Sequence, residues 1–192
     1  FAYLQEAFPM SQMTVLGDLN QAIYAHALHG NTALNDNESK MKSEKITLLR
    51  SYRSTKEIVL FTKHLIEGGE KIQPFNRSGN KPVVEIVPNE SVIIGSILHY
   101  LHDLKRDGHE TIAIICKTLQ ESEKVYTALK EHTSVSLIDH TTTNFEKGVI
   151  VVPTYVAKGI EFDGVILYNI AKEVYEDELE RNLFYTACTR AM

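Results

Sequence analysis

The feature that most limits the folds open to this chain is an unbroken apolar run, Thr111-Ile112-Ala113-Ile114-Ile115-Cys116, followed almost at once by Thr118-Leu119-Gln120-Glu121. The run reads as a strand buried on both faces. Thr118, with Glu121 three residues later, reads as a capping box that opens a helix. The same alternation continues on either side. Ser91 begins a predicted helix whose Ile94, Ile97, Leu98, Leu101 and Leu104 keep three-four spacing. Further strands are predicted at Val135–Ile138, Gly148–Val152 and Gly164–Tyr168, and a last helix at Glu178–Cys188. Alternating strands and helices predict an α/β fold: a mostly parallel sheet with helices on both faces, its functional loops at the carboxyl ends of strands.

The first third of the chain is less regular. Leu4, Ala7 and Phe8 give a short helical stripe that Pro9 should end. Met13-Thr14-Val15-Leu16 then reads as a buried strand entering Gly17-Asp18. Residues 29–44 carry few apolar anchors and many turn formers, which predicts a linker or mobile loop and a boundary near 25 to 45. Beyond it, Ile46-Thr47-Leu48-Leu49 is strand-like, and Ser54-Thr55-Lys56-Glu57 is a second capping box. Its helix should run through Ile58, Phe61, Leu65 and Ile66 to Gly68-Gly69, and Val83-Val84-Glu85-Ile86-Val87 should form another strand.

A chain of 192 residues can bury one substantial core, so one domain plus a fragment is expected. Its net charge of −5 excludes whole-surface attraction to phosphate as the driver of nucleic-acid binding. The apolar run near Val149–Val152 is far too short to cross a bilayer, and no membrane association is expected. Cys116 and Cys188 lack CxxC spacing and metal-like His partners, which fits a reducing, cytoplasmic setting. Seven of the histidines, His26, His29, His99, His102, His109, His132 and His140, also show no ligand spacing. The N-terminus has neither a Met start nor a signal-peptide layout, and reads as a cut end.

Four segments pair polar or charged residues with element boundaries: Gly17-Asp18-Leu19-Asn20-Gln21, Ser51-Tyr52-Arg53-Ser54, Thr154 to Asp163 and Asn182 to Met192. Singly, Gly-Asp after a strand marks a tight turn more often than a catalytic one. No G-x-x-x-x-G-K-[ST] phosphate loop is present, and no apolar strand ends in Asp-Glu to hold magnesium. As an ordered set, however, the segments resemble the later motifs of superfamily 1 helicases of the UvrD/Rep type. Gly17 to Tyr24 is similar to motif III, Tyr52-Arg53-Ser54 to motif IV, Thr154 to Val165 to motif V, and Phe184 to Ala191 to motif VI. Val152 to Asp163 is most similar to motif V of helicase IV and the Gram-positive HelD proteins. Two departures from UvrD stand out. Ala25-His26-Ala27 replaces a Trp-Arg-Gly that touches single-stranded DNA, and only about twenty residues separate the helix ending near His132 from motif V, where UvrD and Rep insert a helical subdomain that engages the duplex.

The resemblance implies a second RecA-like domain at residues 46–192, a linker at 29–45, and the tail of a first RecA-like domain at 1–28. The Walker A lysine, the magnesium ligands and the general base would then lie upstream, in the N-terminal half of the same protein. ATP with Mg2+ would bind between the two halves. Arg53 and Arg190 match the arginine fingers, Gln21 the γ-phosphate sensor, and Asp18 its structural partner. Tyr52 matches the adenine-stacking residue, and Gly159 and Glu161 the loop near ribose and phosphates. Tyr24 and Thr154 match contacts to single-stranded nucleic acid. Implied partners are single-stranded or duplex DNA. A rival reading is a non-catalytic RecA-like module that docks a protein such as RNA polymerase.

Overall fold

The computed structural model describes residues 2–12, 14, 16–21, 23, 46–142 and 146–192. Its centre is a four-stranded parallel sheet in the order β4-β5-β3-β6, built from β3 (Thr111–Cys116), β4 (Ser136–Leu137), β5 (Gly148–Pro153) and β6 (Gly164–Leu167). A separate pair of short parallel strands, β1 (Arg50–Ser51) and β2 (Gln73–Pro74), lies earlier in the chain. The helices are α1 (Ala2–Ala7), α2 (Lys56–Thr62), α3 (Glu90–Arg106), α4 (Leu119–Leu129), α5 (Thr154–Ala157) and α6 (Glu178–Cys188), with 3-10 turns at Leu19–Gln21, Gly69–Lys71 and Lys172–Val174.

Both faces of the sheet are covered, and the two-residue period of a strand explains how. Ile112, Ile114 and Cys116 point to one side, where they pack with Val149 and Val151 against Ile97 and Leu101 of α3 and Val125 and Leu129 of α4. Ala113 and Ile115 point to the other, with Ile150, Val152, Ala157 of α5, Phe162 and Ala187 of α6. Since β3 and β5 are buried on both sides, their sequences must be apolar throughout rather than alternating. Each large aliphatic side chain closed off in this way stabilises the fold by about 1.5–3 kcal/mol. Gly164 lets α3 approach β6 closely, because a side chain there would meet Leu104 Cδ1 and Cδ2 at 3.2 Å.

Caps set the helix starts. Thr118 accepts from the Glu121 amide while Glu121 reaches back to the Thr118 amide, completing the expected box at α4. Asp177 and Glu180 form an equivalent box at α6, and Asn89 caps α3 by accepting from Val92 N. The expected box at Ser54–Glu57 does not form. Thr55 caps α2 without a side-chain hydrogen bond, the Ser54 hydroxyl donates to Ala191 O, and Glu57 accepts from the Gly79 amide. α2 also ends at Thr62, with Lys63 as its C-cap, well before Gly68.

Three expected strands are corrected. Thr14 and Leu16 lie outside any strand, with Leu16 exposed. Residues 46–49 are exposed and form no strand, and the paired residues of the ladder begin only at Arg50. Residues 83–87 form no strand, and Val84 and Ile86 line, with Ile97, Tyr100 and Ile166, a groove of about 930 Å³. All three carry strand-like residues, but a strand exists only where a partner supplies its hydrogen bonds. The predicted linker at 29–45 lies outside the described residues.

Candidate functional site

The distant polar segments meet around the end of α6. Phe162 forms a parallel bridge with Ala191, its amide donating to Arg190 O, and Met192 N donates to Phe162 O. This bridge fastens the return limb of the β5–β6 crossover to the residues after α6. Gly159, at φ +92°, turns the chain into that limb, a conformation a side chain would strain.

Arg190 is the most buried charged residue of the described chain, with 1% of its surface exposed. Its Nε donates to Thr186 O at 3.0 Å, and Nη2 donates to Gln21 Oε1 at 3.2 Å and Thr189 Oγ1 at 3.3 Å. Among the described residues every acceptor it meets is neutral. Burial depresses the Arg190 guanidinium, and the nearby charge of Arg53 depresses it further, against the pull of Glu161 and Asp18. Arg53, which follows β1, makes an ion pair of 2.5 Å with Glu161, both side chains 40% exposed. The two guanidinium groups therefore share one cluster.

Gln21 joins this cluster from the 3-10 turn Leu19–Gln21. Its Nε2 donates to Asp18 Oδ2 at 2.7 Å, so Asp18 fixes the amide with its oxygen toward Arg190. Asp18 also accepts from Asn20 N and steadies the turn itself. Lys158 donates to Gln21 O at 3.0 Å, tying the chain after α5 to the same turn. The chain thus links residues 18–21 to residues 158 and 190 through three hydrogen-bonded steps.

The cluster lies away from the expected carboxyl ends of the four-stranded sheet. Two residues beyond Glu161, the Asp163 carboxylate accepts from Glu110 N, Thr111 N and Thr111 Oγ1. That contact pins the limb to the amino end of β3 and holds the Asp163 carboxyl below its ordinary range. Thr154 is a second correction. Its side chain is fully buried and donates to Cys116 O at 3.0 Å, so it joins the start of α5 to β3 instead of presenting a hydroxyl to nucleic acid. Tyr24 lies outside the described residues.

Tyr52 is 63% exposed and packs on Phe75, with ring centroids 4.9 Å apart. The sequence did not single out Phe75, and it read Ser54 as a helix cap, whereas the Ser54 hydroxyl reaches Ala191 O across the cluster. The signal for both lies in the pairing of β1 with β2 and of α2 with the chain end, which spacing does not encode. The cysteines take no part: burial pushes each thiol up to about 12, so neither is a thiolate near neutrality. Among the described residues no group of His, Cys, Asp and Glu could hold a metal ion, and no helix is long and apolar enough to cross a membrane.

A structure titled as the C-terminal domain of a possible DNA helicase from Lactobacillus plantarum WCFS1 is 41% identical to this chain, with a TM-score of 0.63, over 74% of this chain and 83% of that one. The chain belongs to the UvrD-like helicase C-terminal domain family. The model of that family, the UvrD-like helicase C-terminal domain, matches residues 148–192, which hold β5, α5, β6 and α6. No curated protein matches the chain. The α/β fold of this UvrD-like domain, with its parallel sheets and flanking helices, is that of a RecA-like helicase domain. Within the UvrD-like domain, the family match takes in Glu161 and Arg190 and stops short of Tyr52, Arg53 and Gln21.

Proposed function

We propose that this domain forms one wall of an ATP site in a DNA helicase or translocase of the HelD type, whose other wall belongs to the N-terminal half of the same protein. The observation that carries the proposal is Arg190, a guanidinium taken out of water with only neutral acceptors among the described residues and a second guanidinium nearby. A buried cation left in that state is costly. A polyphosphate entering beside Arg53 and Arg190 would satisfy both cations at once, and planar guanidinium forks chelate phosphate oxygens well.

The residues take roles from their positions. Arg190 and Arg53 hold the terminal phosphate and stabilise the charge that develops during phosphoryl transfer. Gln21, oriented by Asp18, senses that phosphate through the Arg190 contact. Glu161 releases Arg53 to the phosphates and turns to the ribose, next to Gly159. Mg2+ supplies charge neutralisation through ligands upstream, and ATP supplies the transferred phosphoryl group. The passage from α4 to β5, residues 130–147, is too short to hold a large duplex-engaging insertion. Nucleotide-driven movement on DNA or remodelling of a partner fits this better than processive unwinding.

The test is steady-state ATPase turnover of the full-length protein. Arg53→Ala is expected to slow it by roughly a hundredfold or more. Arg190→Lys keeps a cation in the buried position but loses the fork, and is expected to fall by a similar factor. Wild-type turnover in both variants would remove the assignment and favour a docking module, for which RNA polymerase is the candidate partner.

A further inference from the structure

We infer that Phe75 is a positioning residue for nucleobase recognition, forming with Tyr52 a two-ring aromatic shelf on which the purine of the bound nucleotide lies. The inference rests on the ATP-site reading above and adds to it a residue outside all four motif segments. β1 and β2 are parallel, with Arg50 beside Gln73 and Ser51 beside Pro74. The ladder extends one step further, since Phe75 N donates to Ser51 O at 3.0 Å. The next pair in that register is Tyr52 with Phe75, which puts both rings on the same face of the ribbon.

The two rings meet at 4.9 Å between centroids, tilted by 39°. They are nonetheless 63% and 44% exposed. Both rings therefore keep open surface beside their contact, and its consequence is to hold the plane of Tyr52 in that open surface. The ribbon is tied to the phosphate-facing cluster on the same side: Arg77, two residues after Phe75, donates from Nη1 to Arg53 O at 3.1 Å. Arg53 follows Tyr52 directly and pairs with Glu161. A base on the shelf would thus lie one residue from the cation that meets its phosphates, which is why the occupant is a nucleotide base rather than a peptide side chain or a second copy of this chain. Aromatic faces suit this task because every purine offers a π-face.

The experiment compares ATP with inorganic tripolyphosphate, which carries the phosphates and no base, on the full-length protein. For Phe75→Ala, the KM for ATP is expected to rise about fivefold to tenfold with kcat little changed, while the inhibition constant of tripolyphosphate stays at its wild-type value. Phe75→Tyr keeps a ring and should restore the ATP KM. An unchanged ATP KM in Phe75→Ala, with a raised one in Tyr52→Ala, would overturn the shelf and leave the nucleotide site standing. A rise in the tripolyphosphate constant equal to that for ATP would overturn it as well, since it would mark Phe75 as a support for the whole ribbon. Unchanged ATP kinetics with altered self-association would assign the exposed rings to a copy interface, again against the inference.

Discussion

The two sheets of this domain are held together in opposite ways. In the four-stranded sheet, β3 and β5 are closed on both faces, with residues 112 to 116 and 149 to 153 all buried. The β1–β2 ribbon carries two registered pairs and leaves Leu48, Tyr52 and Phe75 in solvent. The four-stranded sheet therefore gives rigidity, and the ribbon gives reach toward a ligand. The candidate site lies on the seam, where Arg190 is anchored in the closed part and Arg53 projects from the open one. The difference shows why two arginines of one cluster need not contribute alike to folding.

The sharpest contrast is in the cores. Phe162→Ala removes a fully buried ring and is expected to cost about 3–5 kcal/mol, whereas Leu48→Ala, at a position 81% exposed, should stay within about 0.5 kcal/mol. Urea unfolding of both variants measures this, and similar losses would break the distinction. Next in size is the pair of arginines. Arg190→Ala leaves the Gln21 oxygen without this donor, while the Thr186 carbonyl keeps the Thr189 hydroxyl and the cost of burying a cation is relieved, and should cost about 1 kcal/mol, against about 0.5 kcal/mol or less for Arg53→Ala, whose ion pair is exposed. Thermal denaturation midpoints would rank them.

Smaller still is the comparison of caps. Thr118→Val breaks a formed capping box and should cost about 1 kcal/mol, while Thr55→Val deletes a buried hydroxyl that has no partner among the described residues and should be neutral or mildly stabilising. The last prediction concerns pH. The folded-state pKa of Asp163 is depressed, first by the Thr111 amide, so the unfolded chain binds the proton more readily. Its contribution is therefore complete above the unfolded carboxylate value of about 3.9 and is lost as pH falls through the lower folded value. Asp163→Asn should flatten that part of an acid-unfolding profile, and an unaltered slope would count against the role given to its three hydrogen bonds.

How far the sequence could be read follows the same division. Thr111–Cys116, Gly148–Val152 and the Thr118–Glu121 cap of α4 were legible because each depends on local pattern or on burial on both faces, which leaves an all-apolar signature, whereas Asn89 and Asp177, the caps of α3 and α6, were not singled out. Residues 46–49 and 83–87 have the composition of strands, yet their state depends on whether a neighbour offers hydrogen bonds, and that is not written in the segment itself. At the site, the motif order pointed to Arg53, Glu161, Gln21 and Arg190, which the fold brings together. It did not tell that Thr154 would turn inward to Cys116 O, that Ser54 would spend its hydroxyl on Ala191, or that Phe75 would lie beside Tyr52. Those facts come from pairings of elements that lie far apart in the chain.

The most direct test of the central claim is a structure of the full-length protein with Mg2+ and a non-hydrolysable ATP analogue. The account predicts phosphate oxygens within hydrogen-bonding distance of both the Arg53 and Arg190 guanidinium groups, the Arg53–Glu161 ion pair opened, and the adenine on Tyr52. A nucleotide bound elsewhere, with Arg53 still paired to Glu161 and Arg190 still confined to Thr186, Thr189 and Gln21, would contradict it.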